Sequence, residues 1–209
     1  RKSGVFLTCL GYGMGNYKDN RLETLADKGN GNYAYIDNMQ EANKFLGREF
    51  AGSMFAIAKD VKIQIEFNPE YVKSYRLIGY ENRKLRNEDF KNDKIDAGEL
   101  GSGHTVTALY EIIPKNVKSA FAPKESKLKY TKTLNSQNFG DEMATVKFRY
   151  KKPDEDKIVE IIQVVKNSDE SITSASPDFK FASSVAWFGL VLRDSKLISK
   201  KDLNDIETL

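Results

Sequence analysis

Three glycines at alternate positions, Gly11-Tyr-Gly13-Met-Gly15-Asn16, follow an apolar run and precede a helical stripe. Such a turn lets a pyrophosphate approach a helix N-terminus, while an acid at the end of the next strand holds the ribose. Asp37 stands at that place, directly after Asn32-Tyr-Ala-Tyr-Ile36. The fingerprint is incomplete, because its third glycine belongs where Asn16 stands and the helix that follows is short. A tight strand-to-helix turn is therefore favoured. A nucleotide-binding enzyme using Gly11, Gly13 and Gly15 is the alternative.

The remaining reactive side chains give weaker signals. His104 is the one histidine, beside the glycine-rich turn Ala97-Gly-Glu-Leu-Gly-Ser-Gly-His104. With Ser102 it could begin a Ser–His–Asp arrangement, but no spacing supplies a third member. A lone histidine without paired cysteines builds no zinc site, so His104 is expected to cap the turn. The acids Glu88, Asp89, Asp93, Asp96 and Glu99 lack the alternating oxygens and sixth-position glycine of a calcium loop. They read as a solvated loop. So do the lysines from Lys115 to Lys132, where only Phe121 and Tyr130 are interleaved rings. A carbohydrate-binding sandwich would need aromatics exposed on one face, and Tyr71, Tyr75 and Tyr80 are the candidates. We expect no catalytic residue, cofactor ligand or metal ligand in this chain.

Composition bounds the class. The chain has 209 residues, 40% hydrophobic and 30% charged, enough for one large or two small cores. Its 33 basic and 30 acidic residues are too balanced to argue for nucleic acid. One cysteine, Cys9, excludes an intramolecular disulfide and reads as a buried strand residue. No apolar run approaches the roughly 20 residues of a membrane span, and the run before Cys9 is too short for a signal peptide. The chain opens on Arg1 almost directly in a strand, which points to a piece of something longer.

The elements that must position these residues follow from periodicity. Val5 to Leu10 reads as a strand covered on both faces. Asn20-Arg-Leu-Glu23 fits a capping box opening a helix that stops at Gly29. A second strand ends at Asp37, and two strands joined through a helix should pair parallel. Another helix begins near Asn38 and keeps helical spacing to Met54 and Ile57. Val61, Ile63, Ile65 and Phe67 then alternate with Lys62, Gln64 and Glu66, predicting a half-buried strand with its apolar side inward. Further strands are expected over Tyr75–Tyr80, Thr105–Ile113, Val146–Tyr150 and Ile158–Val165, forming a small antiparallel sandwich. Ser176-Pro177 should cap a C-terminal helix to Arg193. Its apolar positions leave almost no polar face, so the helix should be buried, with Phe181, Val185, Phe188 and Leu192 filling a core and Trp187 packed inside. A short helix would begin at Ser199. The fold class expected is α+β, with an α/β portion over 1–58 and a sandwich with C-terminal helices over 59–209.

These blocks carry a likeness. GVFLTCLGYGMGNYKDNRLETLADKGNGNYAYIDNMQEA resembles the last strand–helix–strand–helix part of a bacterial von Willebrand factor A domain. IAKDVKIQIEFNP, YRLIGYENR, DAGELGSGHTVTALYEI and DFKFASSVAWFGLVLRDS are similar to the domain of unknown function that follows it in one subfamily. The family's metal site rests on an Asp-x-Ser-x-Ser turn and later ligands, none of which lies in this chain, so no metal ligand carries over. The resemblance implies a non-catalytic protein–protein interaction or scaffold role, with a protein partner. It also implies an extracytoplasmic location, with membrane association only through parts absent here, often a lipid anchor. The apolar strand Val5–Leu10, lacking its neighbours, would dock on the sandwich or pair with a second copy as a homo-oligomer.

Overall fold

A computed structural model of the chain describes residues 6–13, 18–29, 31–50, 52, 55–80, 84–95, 97–122, 139–168, 170–198, 203 and 206. The fold is α+β with antiparallel sheets. The chain separates into two compact units, Arg1–Gln64 with Asn87–Thr105 and Lys147–Ile161, and Ile65–Arg86 with Val106–Val146 and Ile162–Leu209. Among the described residues no helix is long and apolar enough to cross a membrane.

In the first unit β1 (Cys9–Tyr12) pairs parallel with β2 (Tyr33–Ile36), in register from Cys9↔Tyr33 to Tyr12↔Ile36. Between them runs α1 (Asp19–Lys28), ended by Gly29. Cys9, Ala26 and Ile36 are buried there. The parallel pairing follows from the helical crossover, as expected. The first strand, however, is assigned from Cys9, and Val5 lies outside the described residues. Asn20 does not cap α1 either. The N-cap position is Lys18, without a side-chain bond, and the Asn20 carbonyl accepts from Thr24 Oγ1 at 2.6 Å inside the helix. Asp19 instead accepts a hydrogen bond from the Tyr33 hydroxyl, tying the helix start to β2.

The approach of the chain to β1 depends on two glycines, Gly29 and, more tightly, Gly31. Leu7 N–H donates to Gly29 O at 3.0 Å and Cys9 N–H to Asn32 O at 2.8 Å. A Cβ on Gly31 would lie 1.9 Å from the Leu7 carbonyl oxygen, backbone that cannot swing aside. Gly31→Ala is expected to cost about 1–3 kcal/mol, the usual range for overpacking, and chemical denaturation with unchanged m-value checks it.

Asn38 caps α2 (Met39–Ala42) by accepting from Glu41 N–H at 2.9 Å. The helix widens into a π-helical stretch, Asn43–Glu49, with Phe45 buried. Ile57 is not helical, correcting the longer helix predicted, because β3 (Ala56–Phe67) has already begun. β3 pairs antiparallel with β5 (Gly98–Gly101), so half of the expected glycine turn is strand. Their register runs Ala58↔Leu100 and then Val61↔Gly98, an irregularity in which Asp60 takes φ 55°. A second irregularity lies between Ala56 and Ala58. Lys62 is 2% exposed and Ile63 57% exposed, the reverse of the alternation predicted there, whereas Ile65 and Phe67 are half-buried and Glu66 exposed as predicted. The full sheet order is β5-β3-β7-β8, with β7 at Glu142–Lys151 and β8 at Ile158–Lys166.

In the second unit β4 (Val72–Ile78) pairs antiparallel with β6 (Leu109–Pro114). The strand expected from Thr105 therefore starts at Leu109, and Val106 is exposed. The Phe67 ring lies 4.5 Å from Tyr75 and 5.6 Å from Tyr110, centroid to centroid, packing the end of β3 on this ribbon. Burial there holds the Tyr110 phenol above its ordinary pKa, and the neighbouring Tyr75 adds to the shift.

The helix α3 (Pro177–Leu192) has the expected cap, Ser176 accepting from Phe179 N–H at 3.2 Å with proline at the first turn. Its burial does not follow expectation. Only Leu190 is buried, while Phe181 is 72% and Leu192 69% exposed, with Phe179, Val185 and Phe188 also exposed. Trp187 is half-buried. A helix apolar all round needs cover on every side, and the described part of the unit covers only one. The short helix from Ser199 lies mostly outside the described residues; Leu203 and Ile206 are helical.

Candidate functional site

The bulge in β3 builds a charged cleft within the first unit. It has a volume of about 230 Å³ and is lined by Lys59, Asp60, Asp93, Lys94, Glu99, Lys151 and Asp156. The left-handed turn at Asp60 holds both carboxylate oxygens inside the chain. Oδ2 lies 3.1 Å from Lys151 Nζ, and Oδ1 faces Lys62 Nζ at 3.4 Å, an ionic contact outside hydrogen-bond geometry. Lys62 Nζ donates to the Asn92 carbonyl at 2.7 Å. From β7, Arg149 is buried and donates to the Phe90 carbonyl at 2.6 Å, while its other nitrogen pairs with Asp93. At the rim Lys59 lies 3.6 Å from Asp156, whose side chain is fully exposed.

Two buried cations thus serve backbone carbonyls of the segment 87–97, which also places Phe90 in the core and Asp89 out of solvent. Burying a charge is costly unless it is paired and hydrogen-bonded. Here Asp60 and Asp93 supply the counter-charge. Acids and bases alternate around the cleft, so their fields cancel within a few ångströms and no single sign is concentrated. The volume is below the 300–1,000 Å³ or so of small-molecule pockets. Among the described residues no group of three or more His, Cys, Asp and Glu is placed to hold a metal. Chemically the arrangement latches a long connection onto the sheet.

The predicted residues fall as follows. Gly11 is buried within β1, and Gly13 takes φ 78°, its carbonyl accepting from the Tyr35 hydroxyl at 2.8 Å. Gly15 and Asn16 lie outside the described residues. Asp37 accepts from Asn38 Nδ2 at 2.7 Å. His104 is exposed, and its backbone N–H closes the turn on Gly101 O at 3.2 Å beside Ser102. The acid-rich segment corrects the solvated-loop reading: Asp89 is buried, and Asp93 and Glu99 face the cleft. Glu88 is exposed, and Asp96 lies outside the described residues. Lys115 and Lys118 are exposed, while Lys124 to Lys132, with Tyr130, lie outside the described residues. Tyr71 donates to Gly140 O at 2.7 Å and Tyr80 to Thr107 O at 3.2 Å, while Tyr75 stacks on Phe67. Lys62, Arg149 and Asp60 escaped sequence reasoning. Alternation placed Lys62 outside, and its inward partner, the Asn92 carbonyl, is 30 residues away in sequence.

Residues 52–209 match a family model described as "Uncharacterized protein YfbK, C-terminal". The chain belongs to the YfbK C-terminal family. A relative from Escherichia coli K12, "Uncharacterized protein YfbK", is 39% identical over 211 residues, covering 99% of this chain and 35% of its own length. The chain therefore spans about a third of the length of the curated relative it matches. No solved structure matches it. All seven cleft-lining residues, and α3, fall inside the stretch matched to the YfbK C-terminal family, whereas the glycine turn falls outside it.

Proposed function

We propose that the chain is a non-catalytic protein-interaction module of a longer YfbK-type protein, and that α3 is its contact face. The exposed apolar face of α3 carries this reading. Phe181, Val185, Phe188 and Leu192 recur at spacings of four, three and four, a seam that fits the apolar side of another helix. No charged residue interrupts the helix between Lys180 and Arg193, and Ala182, Ser184 and Gly189 beside the seam allow close approach. The occupant is an apolar helix of a protein partner. The same reading takes residues 4–54 as the end of a von Willebrand factor A domain, in line with the parallel β1–β2 pair joined through α1. It places the longer protein outside the cytoplasm.

A photo-crosslinking amino acid at position 181, in the full-length protein within its source cells, tests the reading. The expected result is one cross-linked protein whose contacting residues lie on an apolar helix. Phe188→Asp should abolish that cross-link with the melting temperature unchanged. Cross-links to lipid alone, or a variant that unfolds, would overturn it, the latter by showing α3 to be core.

A further inference from the structure

β8 is the terminal strand in the order β5-β3-β7-β8, so among the described residues one of its backbone edges is unpaired. Edge strands are normally blunted by proline, lysine or a bulge. β8 has no proline, and its one lysine is its last residue, Lys166. Ile161 and Ile162 are 52% and 56% exposed on opposite faces, and Val164 is exposed beside them. Apolar residues exposed on both faces in this way belong to a strand with neighbours.

The hydrogen bonds define which groups face the open edge. At the mouth of the β7–β8 hairpin Asn167 N–H donates to Asp141 O at 2.7 Å. In an antiparallel ladder the bonding direction alternates, so the odd-numbered residues of β8 bond to β7. Glu160, Ile162, Val164 and Lys166 then aim their N–H and C=O groups outward. Val164 agrees with this, because its carbonyl accepts instead from the Gln163 side-chain amide at 2.9 Å. That amide stands where an incoming backbone N–H would be.

We infer that this edge pairs with β8 of a second copy of the chain, antiparallel about a twofold axis at Gln163. The sequence Glu160-Ile-Ile-Gln-Val-Val-Lys166 is complementary to itself under that operation. Ile162 faces Val164 of the other copy, Ile161 faces Val165, and Glu160 faces Lys166. The parity also agrees, since the opposed even-numbered residues are those whose backbone groups point outward. Such an interface is isologous and closed, so it stops at two copies. Lys166 Nζ lies 3.1 Å from Asp141 with both side chains largely exposed, which leaves it free to face Glu160 as well. The inference uses no residue of α3 and stands independently of the reading given to it.

Light scattering of the chain at up to about 100 μM should show a mass twice 23.7 kDa. Val164→Pro removes an outward N–H without touching the ladder to β7 and should give a monomer. Glu160→Lys and Lys166→Glu each set like charges opposite one another twice, and each should weaken the dimer about tenfold. Mixing these two variants should restore it, because a mixed pair is again complementary. Restoration also holds the test if the proline variant unfolds. A parent that is monomeric throughout, or a dimer indifferent to charge reversal and mixing, overturns the inference.

Discussion

Phe90→Ala is expected to lower the free energy of unfolding by about 3–5 kcal/mol, the cost of truncating a buried phenylalanine. Phe90 is 4% exposed although its segment reads as a polar connection. Its ring is the apolar anchor of residues 87–97, and its carbonyl is the acceptor for Arg149. The loss is a large share of the 5–15 kcal/mol or so that holds an ordinary domain together. Urea denaturation followed by circular dichroism measures it. A change under about 1 kcal/mol would show that the segment contributes no core.

Arg149→Ala should cost about 3 kcal/mol, chiefly because the Phe90 carbonyl is left buried without a donor. The pair with Asp93 adds less, since the Asp93 side chain is 53% exposed and screened by solvent. Arg149→Lys keeps the charge but lacks the fork that reaches carbonyl and carboxylate together. It should recover only part of the loss. Amide exchange gives the specific signature: protection should fall first in residues 87–97, ahead of β3 and β7. Uniform loss across the sheet would mean that Arg149 supports the whole unit and not the latch.

The legible parts of this chain were those governed by local chemistry. Asn38 and Ser176 announce their helices through the cap each provides, and the parallel β1–β2 pair follows from the helix between them. The hairpin before Ile158 is equally local. What escaped depended on contacts distant in sequence, such as those of Lys62 with Asn92 and Arg149 with Phe90. Alternation along Val61–Phe67 gives the right strand, with Phe67 packed and Glu66 exposed, but misplaces Lys62 and Ile63. Once Lys62 is turned inward, the acids of the following connection become its surroundings. That is why Asp93 and Glu99 looked like surface charges. The α3 helix shows the converse: its composition implies cover, yet the described part of the unit leaves Phe181, Val185 and Leu192 exposed.

The position of β3 between β5 and β7 bears on synthesis as well as on stability. Both of its partners are encoded downstream of it. A ribosome adding about 5–20 residues per second exposes Ala56–Phe67 long before Glu142–Lys151 has left the exit tunnel. For some seconds the nascent β3 has two open edges, with Lys62 still hydrated and Ile63 and Ile65 without neighbours. In that interval β3 is open to any holdase that binds extended segments, and it closes only when β7 arrives.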